Sequence, residues 1–146
     1  MKKFLLIAML ALSLTGCDSL IKNFGSDAKN TNRPEQVPQV IAANETAALA
    51  RLRSIVTAEM AYALNGDGQF ATLETLIASG AMSDPARGKL TGYRFEVRVR
   101  PGGFEATAIP ERYGVTGKRS FYVDESRQIH GADKGGAQAS NADPDV

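Results

Sequence analysis

Tyr93-Arg94-Phe95-Glu96-Val97-Arg98-Val99-Arg100 is the stretch that decides the fold class. Apolar Tyr93, Phe95, Val97 and Val99 alternate with Arg94, Glu96, Arg98 and Arg100. A period of two is what a strand needs when one face is covered and the other is solvated. Pro101-Gly102-Gly103 turns the chain, and Phe104 to Ile109 returns as the hairpin partner. Pro110 to Lys118 reads as a loop, and Arg119 to Val123 and Arg127 to His130 flank Asp124-Glu125-Ser126 as a second hairpin. An antiparallel sheet of about four strands follows.

Upstream the period is helical. From Gln39 to Leu64, residues Leu49, Leu52, Val56, Met60 and Ala63 fall on one stripe, widened by Ile41 and Ile55. Pro38 suits the first helical turn, and Asn65-Gly66 supplies a left-handed stop. Glu45 and Glu59 lie on or beside the stripe, which predicts incomplete burial of its N-terminal part. The opposite side carries Ala47, Ala50, Ala58 and Ala61 with Arg51 and Arg53, and reads as a bland exposed face or a seat for another helix. Thr72 to Ser79 forms a second, short helix ended by Gly80, and Ser83-Asp84-Pro85 a turn or a further short helical start. A long helix followed by an antiparallel sheet is an α+β domain, expected over residues 39–130. Beyond it, Gly131 to Val146 is Gly, Ala, Asp and Asn with almost nothing apolar, and is expected to be disordered.

The whole chain has 146 residues, 43% hydrophobic and 23% charged, and a net charge of +1. That balance excludes a strongly basic nucleic-acid binder and an acidic disordered chain. The one cysteine cannot build a disulfide framework or a cysteine-based metal site. It stands instead at the end of an address. Met1-Lys2-Lys3 is a short positive segment, and Phe4 to Leu12 is a continuous apolar run, long enough for a signal-peptide core and too short for a membrane-spanning helix. Leu14-Thr15-Gly16-Cys17 follows. It resembles the bacterial lipobox, in which small residues enter the peptidase cleft extended and the cysteine thiol takes the lipid. The resemblance implies a signal peptide over residues 1–16 and a mature chain that begins at lipidated Cys17. More than one acyl chain is expected there, palmitate among them, because one chain anchors only weakly.

Cleavage there would remove Lys2 and Lys3 and leave one more acidic than basic side chain. Residues 17–38 carry the anchor and a polar, Asn-rich linker with Pro34 and Pro38, whose average reach is about 25 Å. Asp18 resembles an inner-membrane retention signal. The expected site is the periplasmic face of the inner membrane, favoured over the outer membrane.

Three further segments carry a second resemblance: Leu52-Arg53-Ser54-Ile55-Val56-Thr57-Ala58-Glu59-Met60-Ala61-Tyr62, Phe70-Ala71-Thr72-Leu73-Glu74-Thr75-Leu76, and Gly117-Lys118-Arg119-Ser120-Phe121-Tyr122-Val123-Asp124. Together with the element order they resemble the globular head of type IV pilins and type II secretion pseudopilins, over about residues 39–130. The residues concerned are mostly packing and turn residues, so the resemblance implies a fold more than an activity. The prepilin-peptidase site and continuous apolar helix of pilins are missing, their place taken by the lipobox and linker. The resemblance therefore implies a pilin-like head and argues against a role in the filament core.

Four residue groups merit weighing as sites. With Gly68 at the sixth position of an EF-hand loop, Asn65, Asp67 and Glu74 fall on ligand positions three, five and twelve, and Phe70 on the apolar eighth. Position one would be Ala63, so a helix stop and turn competes with a Ca²⁺ loop and is the stronger reading. His130, the single histidine, has no serine or carboxylate tied to it by a recognisable pattern and is expected at the surface. Arg94, Arg98 and Arg100 form a row that would meet an anionic partner, or a solvated face paired to Glu96 and Glu105. Cys17 is the lipidation site that the lipobox resemblance implies. The sum is a membrane-anchored, non-catalytic interaction domain that needs no cofactor and partners another envelope protein; the alternative is a periplasmic ligand- or Ca²⁺-binding module. Nucleic acid is not expected, because aromatic residues do not interleave with the arginines on one face.

Overall fold

The structure is a computed structural model that describes residues 37–84 and 92–146. Cys17, the signal peptide and most of the linker lie outside the described residues. The fold is α+β. Helix α1 spans Val37–Asn65 and helix α2 Leu73–Ala78. Strands β1 (Tyr93–Arg100), β2 (Gly103–Pro110), β3 (Arg119–Asp124) and β4 (Ile129–Asp133) form one antiparallel sheet in the order β1-β2-β3-β4.

Register follows from the alternation read in β1. Phe95, Val97 and Val99 stand opposite Ala108, Ala106 and Phe104 of β2. Ala106 and Ala108 in turn face Val123 and Phe121 of β3, and these face Ile129 and Gly131 of β4. Helix α1 lies across this apolar face over β2 and β3. Ala106 and Ala108 are fully buried beneath it, because small side chains let a helix approach a sheet closely. Leu52, Ile55, Phe104, Phe121 and Val123 fill the core around them.

The buried face of α1 is turned from the expected stripe. It runs through Glu45, Ala48, Leu52, Ile55, Val56 and Glu59, while Leu49 and Met60 are only partly buried. Glu45 and Glu59 are thus inside, contrary to the expectation that they would keep part of the helix exposed. Ala58 is also buried, packed with Ala71 and Leu76 where the segment leading into α2 crosses the helix. The helix stop lies slightly later than Gly66. Asp67 takes φ 56° and Gly68 φ 79°, and the Gly68 amide donates to the Ala63 carbonyl at 2.9 Å, the bond that closes a left-handed helix cap. The second helix forms as read: Thr72 caps it by accepting from the Thr75 amide.

Two expectations for the C-terminal part are corrected. Arg127 has φ 68° and belongs to the turn, so β4 starts at Ile129 and not at Arg127. The segment from Gly131 is ordered. Strand β4 runs on to Asp133, and the last residues return along its outer edge. The Gly131 amide donates to Pro144 O at 2.8 Å and the Val146 amide to Ile129 O at 3.1 Å. Asp143 binds the turn together by accepting from the Ser140 amide and from Lys134 Nζ, and Ala139 is buried. A polar segment folds here because backbone groups and one carboxylate hold it, and such bonds leave no apolar period to read.

Candidate functional site

The expected sites separate on the structure. Asn65, Asp67 and Glu74 build helix ends. Asn65 Nδ2 donates to the Ala61 carbonyl at 2.9 Å, and Asp67 supplies the left-handed residue of the stop. The carboxyl of Glu74 sits at the start of α2, where its own amide and the Thr72 hydroxyl hold it below the usual carboxylate range. Among the described residues no three His, Cys, Asp or Glu side chains are grouped as a metal ion would need. No helix among them is long and apolar enough to cross a membrane.

His130 is mostly buried and not a surface residue. Its Nδ1 lies 2.9 Å from the Asp143 carbonyl and 3.1 Å from Asp145 Oδ1, and its ring packs beside Tyr122. The side chain holds the returning C-terminal segment against the sheet.

The arginine row is on the exposed face of β1 and is interleaved with acids. Arg94 Nε and Arg98 Nη2 both reach Glu96, at 3.3 and 3.4 Å, and Arg98 reaches Glu105 only at 3.9 Å. Arg100 Nη2 donates to both oxygens of Glu125 at 2.8 Å, with Asp124 at 3.8 Å. Of the two partners foreseen, Glu96 pairs along β1 itself, and only Glu105 lies across the strands. Glu125, in the turn before β4, was not foreseen, because turn geometry alone brings it beside β1.

The two buried acids among the described residues were missed as sites. Glu45 on α1 reaches the start of β3, more than seventy residues away. Its Oε1 accepts from the Lys118 and Arg119 amides at 3.2 and 3.1 Å, and its Oε2 from Arg119 Nε at 2.8 Å. Burial alone pushes the Glu45 carboxyl up, but these donors outweigh it and hold the group below its ordinary range. The neighbours complete a clamp. Asn44 Nδ2 donates to the Thr116 carbonyl at 2.9 Å, and the Tyr93 hydroxyl to the Arg119 carbonyl at 2.7 Å. Gly117 lies under the Tyr93 phenol, where a Cβ would overlap the ring. The only signal in the sequence was two glutamates beside an apolar stripe.

Glu59 is fully buried. Its Oε2 accepts from the Ala71 amide at 3.0 Å, and Oε1 has no hydrogen-bond partner. Burial raises its carboxyl above the ordinary value of 4.5, only partly offset by Ala71. A raised folded value means that the native state binds this proton more tightly than the unfolded chain. Its contribution is therefore most favourable below 4.5 and fades as pH rises toward the folded value. Glu59→Gln is expected to gain stability relative to the native chain as pH increases from 4.5, read as urea midpoints at several pH values. A difference that does not vary with pH would contradict the buried carboxylate.

Set against known proteins, the chain matches no family model, no curated sequence and no solved structure.

Proposed function

We propose that the protein is a bacterial lipoprotein held at the cell envelope by lipid on Cys17, with a pilin-like head that works by contact and performs no reaction. The observation that carries this reading is Leu14-Thr15-Gly16-Cys17 placed directly behind a positive start and a short apolar run. A long N-terminal helix laid over a four-stranded antiparallel meander supports the likeness to a pilin head. The head's chemistry-bearing groups support the non-catalytic part. Glu45 and Arg119 join helix to sheet, and His130 and Asp143 hold the C-terminal segment. The linker lets the head stand off the membrane, and Asp18 favours the periplasmic face of the inner membrane. An anchored head of this kind presents a surface to another envelope protein while the lipid takes the place of a filament core helix.

Cys17→Ser tests the anchor. The native chain is expected in the membrane fraction and the variant in the soluble fraction, because without the acyl chains the polar linker has nothing to bury in the bilayer. A variant that still sediments with membranes would contradict the reading.

A further inference from the structure

Helix α2 and the residues leading into it are held to α1 by little. Among the described residues, the 3.0 Å bond from the Ala71 amide to Glu59 Oε2 is the only hydrogen bond that ties residues 71–79 to α1 or to the sheet. The bonds among Thr72, Thr75, Leu76 and Ser79 stay within the segment. Its apolar contacts are also few. Ala71 and Leu76 are buried with Ala58 in a small cluster, flanked by Tyr62 and Met82 and distinct from the larger core between α1 and the sheet. Phe70 bounds the segment on one side, its ring 5.3 Å from that of Phe104. Gly80 bounds it on the other with φ 75°, and open space lies where a side chain would be. A glycine in that conformation can change its backbone angles at little steric cost.

The one polar tie ends on a carboxyl that has no water. Glu59 is fully buried, and its Oε1 meets neither donor nor acceptor. With a proton on Oε1 the group is neutral, and a neutral hydroxyl without a partner costs less to bury than an unpaired charge. Ionised, the carboxylate has one amide in place of the water it would hold in solution. Among the described residues no charged side chain offsets this, since burial and the Ala71 amide are the influences on the group. Arg53 on α1 is exposed and Arg51 is partly exposed in an outer cleft with Ala58 and Met82. Asp67 and Glu74 are exposed, and Asp84 is half-buried beyond Gly80. The charged residues of β1, and Glu105 of β2, stand on the sheet face away from α1. Detaching residues 71–79 hydrates the carboxylate at the loss of one hydrogen bond and the small apolar cluster, with α1 and the sheet intact.

We propose that residues 71–79 are a latch on α1, kept shut by protonated Glu59 and released when Glu59 ionises, so that it swings out between Phe70 and Gly80 and bares Ala58 and Leu76. The sign follows from where the carboxyl is buried. In the shut latch burial holds it above 4.5, and in the open latch water returns it to that value. The shut state therefore binds the proton more tightly. Its advantage is full below 4.5 and is lost as pH rises through the raised value. Urea midpoints read the unfolding of the whole chain, whereas the latch is a local opening with its own free energy.

The test is native-state amide hydrogen exchange on the full-length protein in detergent micelles, at pH 4.5 and at about pH 8, with each rate divided by that of the unfolded chain at the same pH. Protection at Ala71, Leu76 and Ser79 is expected to fall by at least about tenfold at the higher pH, while Ala106, Phe121 and Val123 in the sheet keep theirs. Glu59→Gln retains an acceptor for the Ala71 amide and has no proton to lose, so its latch should be equally protected at both pH values. Unchanged protection of residues 71–79 in the native chain overturns the proposal. So does a fall shared by the sheet, which would mean that the whole head opens, or a fall of the same size in Glu59→Gln, which would place the titration elsewhere. The native chain alone supplies the first two comparisons, so the test does not depend on the folding of the variant.

Discussion

Phe121→Ala is expected to cost about 3–5 kcal/mol of folding stability, the largest effect of any single truncation in the sheet. The ring is fully buried in β3, at the centre of the apolar face. It packs beside Tyr93 with ring centroids 5.9 Å apart, and the Arg119 guanidinium lies 5.2 Å from its centroid. Across the ladder it stands opposite Gly131, where a Cβ would overlap the ring. Truncation therefore leaves a void that the neighbouring glycine cannot fill and removes the surface on which Tyr93 and Arg119 rest. Urea unfolding followed by circular dichroism measures the loss. A cost under about 1 kcal/mol would mean that the face collapses to fill the space and that the ring is not a keystone of the core.

Glu45→Ala is expected to cost about 2–3 kcal/mol, large for a charged side chain, because two backbone amides and a guanidinium lose their acceptor together. Arg119 is 41% exposed and regains water, so the two amides carry most of the loss. Glu45→Gln keeps one acceptor and should fall between the variant and the native chain. The pH dependence has the opposite sign to that of Glu59. The Glu45 carboxyl is held below its ordinary 4.5, so its contribution is fully present above that value. It is lost as pH falls through the lowered folded value. The gap between native protein and Glu45→Ala should accordingly narrow in acid, and a gap that stays constant would show that the charge does not matter to the clamp. Loss of the clamp should also loosen the loop between β2 and β3, which Asn44 and Glu45 together tie to the helix.

Why some of this was legible in the sequence and some was not comes down to the range of the interactions. The alternation of Tyr93 to Arg100 is a local pattern, and with Pro101-Gly102 it was enough to place β1, its turn and its partner. The long helix and the short helix ended by Gly80 were legible for the same reason. The rotation of the buried face of α1 was not. Glu45 and Glu59 count against burial in any hydropathy pattern, and their acceptance inside depends on amides of Lys118, Arg119 and Ala71 that only the fold brings near. The C-terminal segment was misread for a related reason. Its order rests on Asp143, His130 and strand-edge backbone bonds, none of which leaves a period. Arg127 is a case of turn chemistry overriding a strand-like run. On the candidate site, Glu96 and Glu105 were readable as partners of the arginine row from strand alternation. Glu125 beside Arg100 was not, because only the turn between β3 and β4 brings it there.

The described residues form a scaffold: a helix tied to a meander by a carboxylate clamp, with one sheet edge closed by the returning C-terminal residues. In the proposed reading, lipid on Cys17 holds that scaffold at the envelope. Intact-mass spectrometry of the protein purified from membranes tests this most directly. The account predicts a chain that begins at Cys17 and carries lipid on that residue, whereas a chain that retains residues 1–16, or begins at Cys17 without lipid, would contradict it.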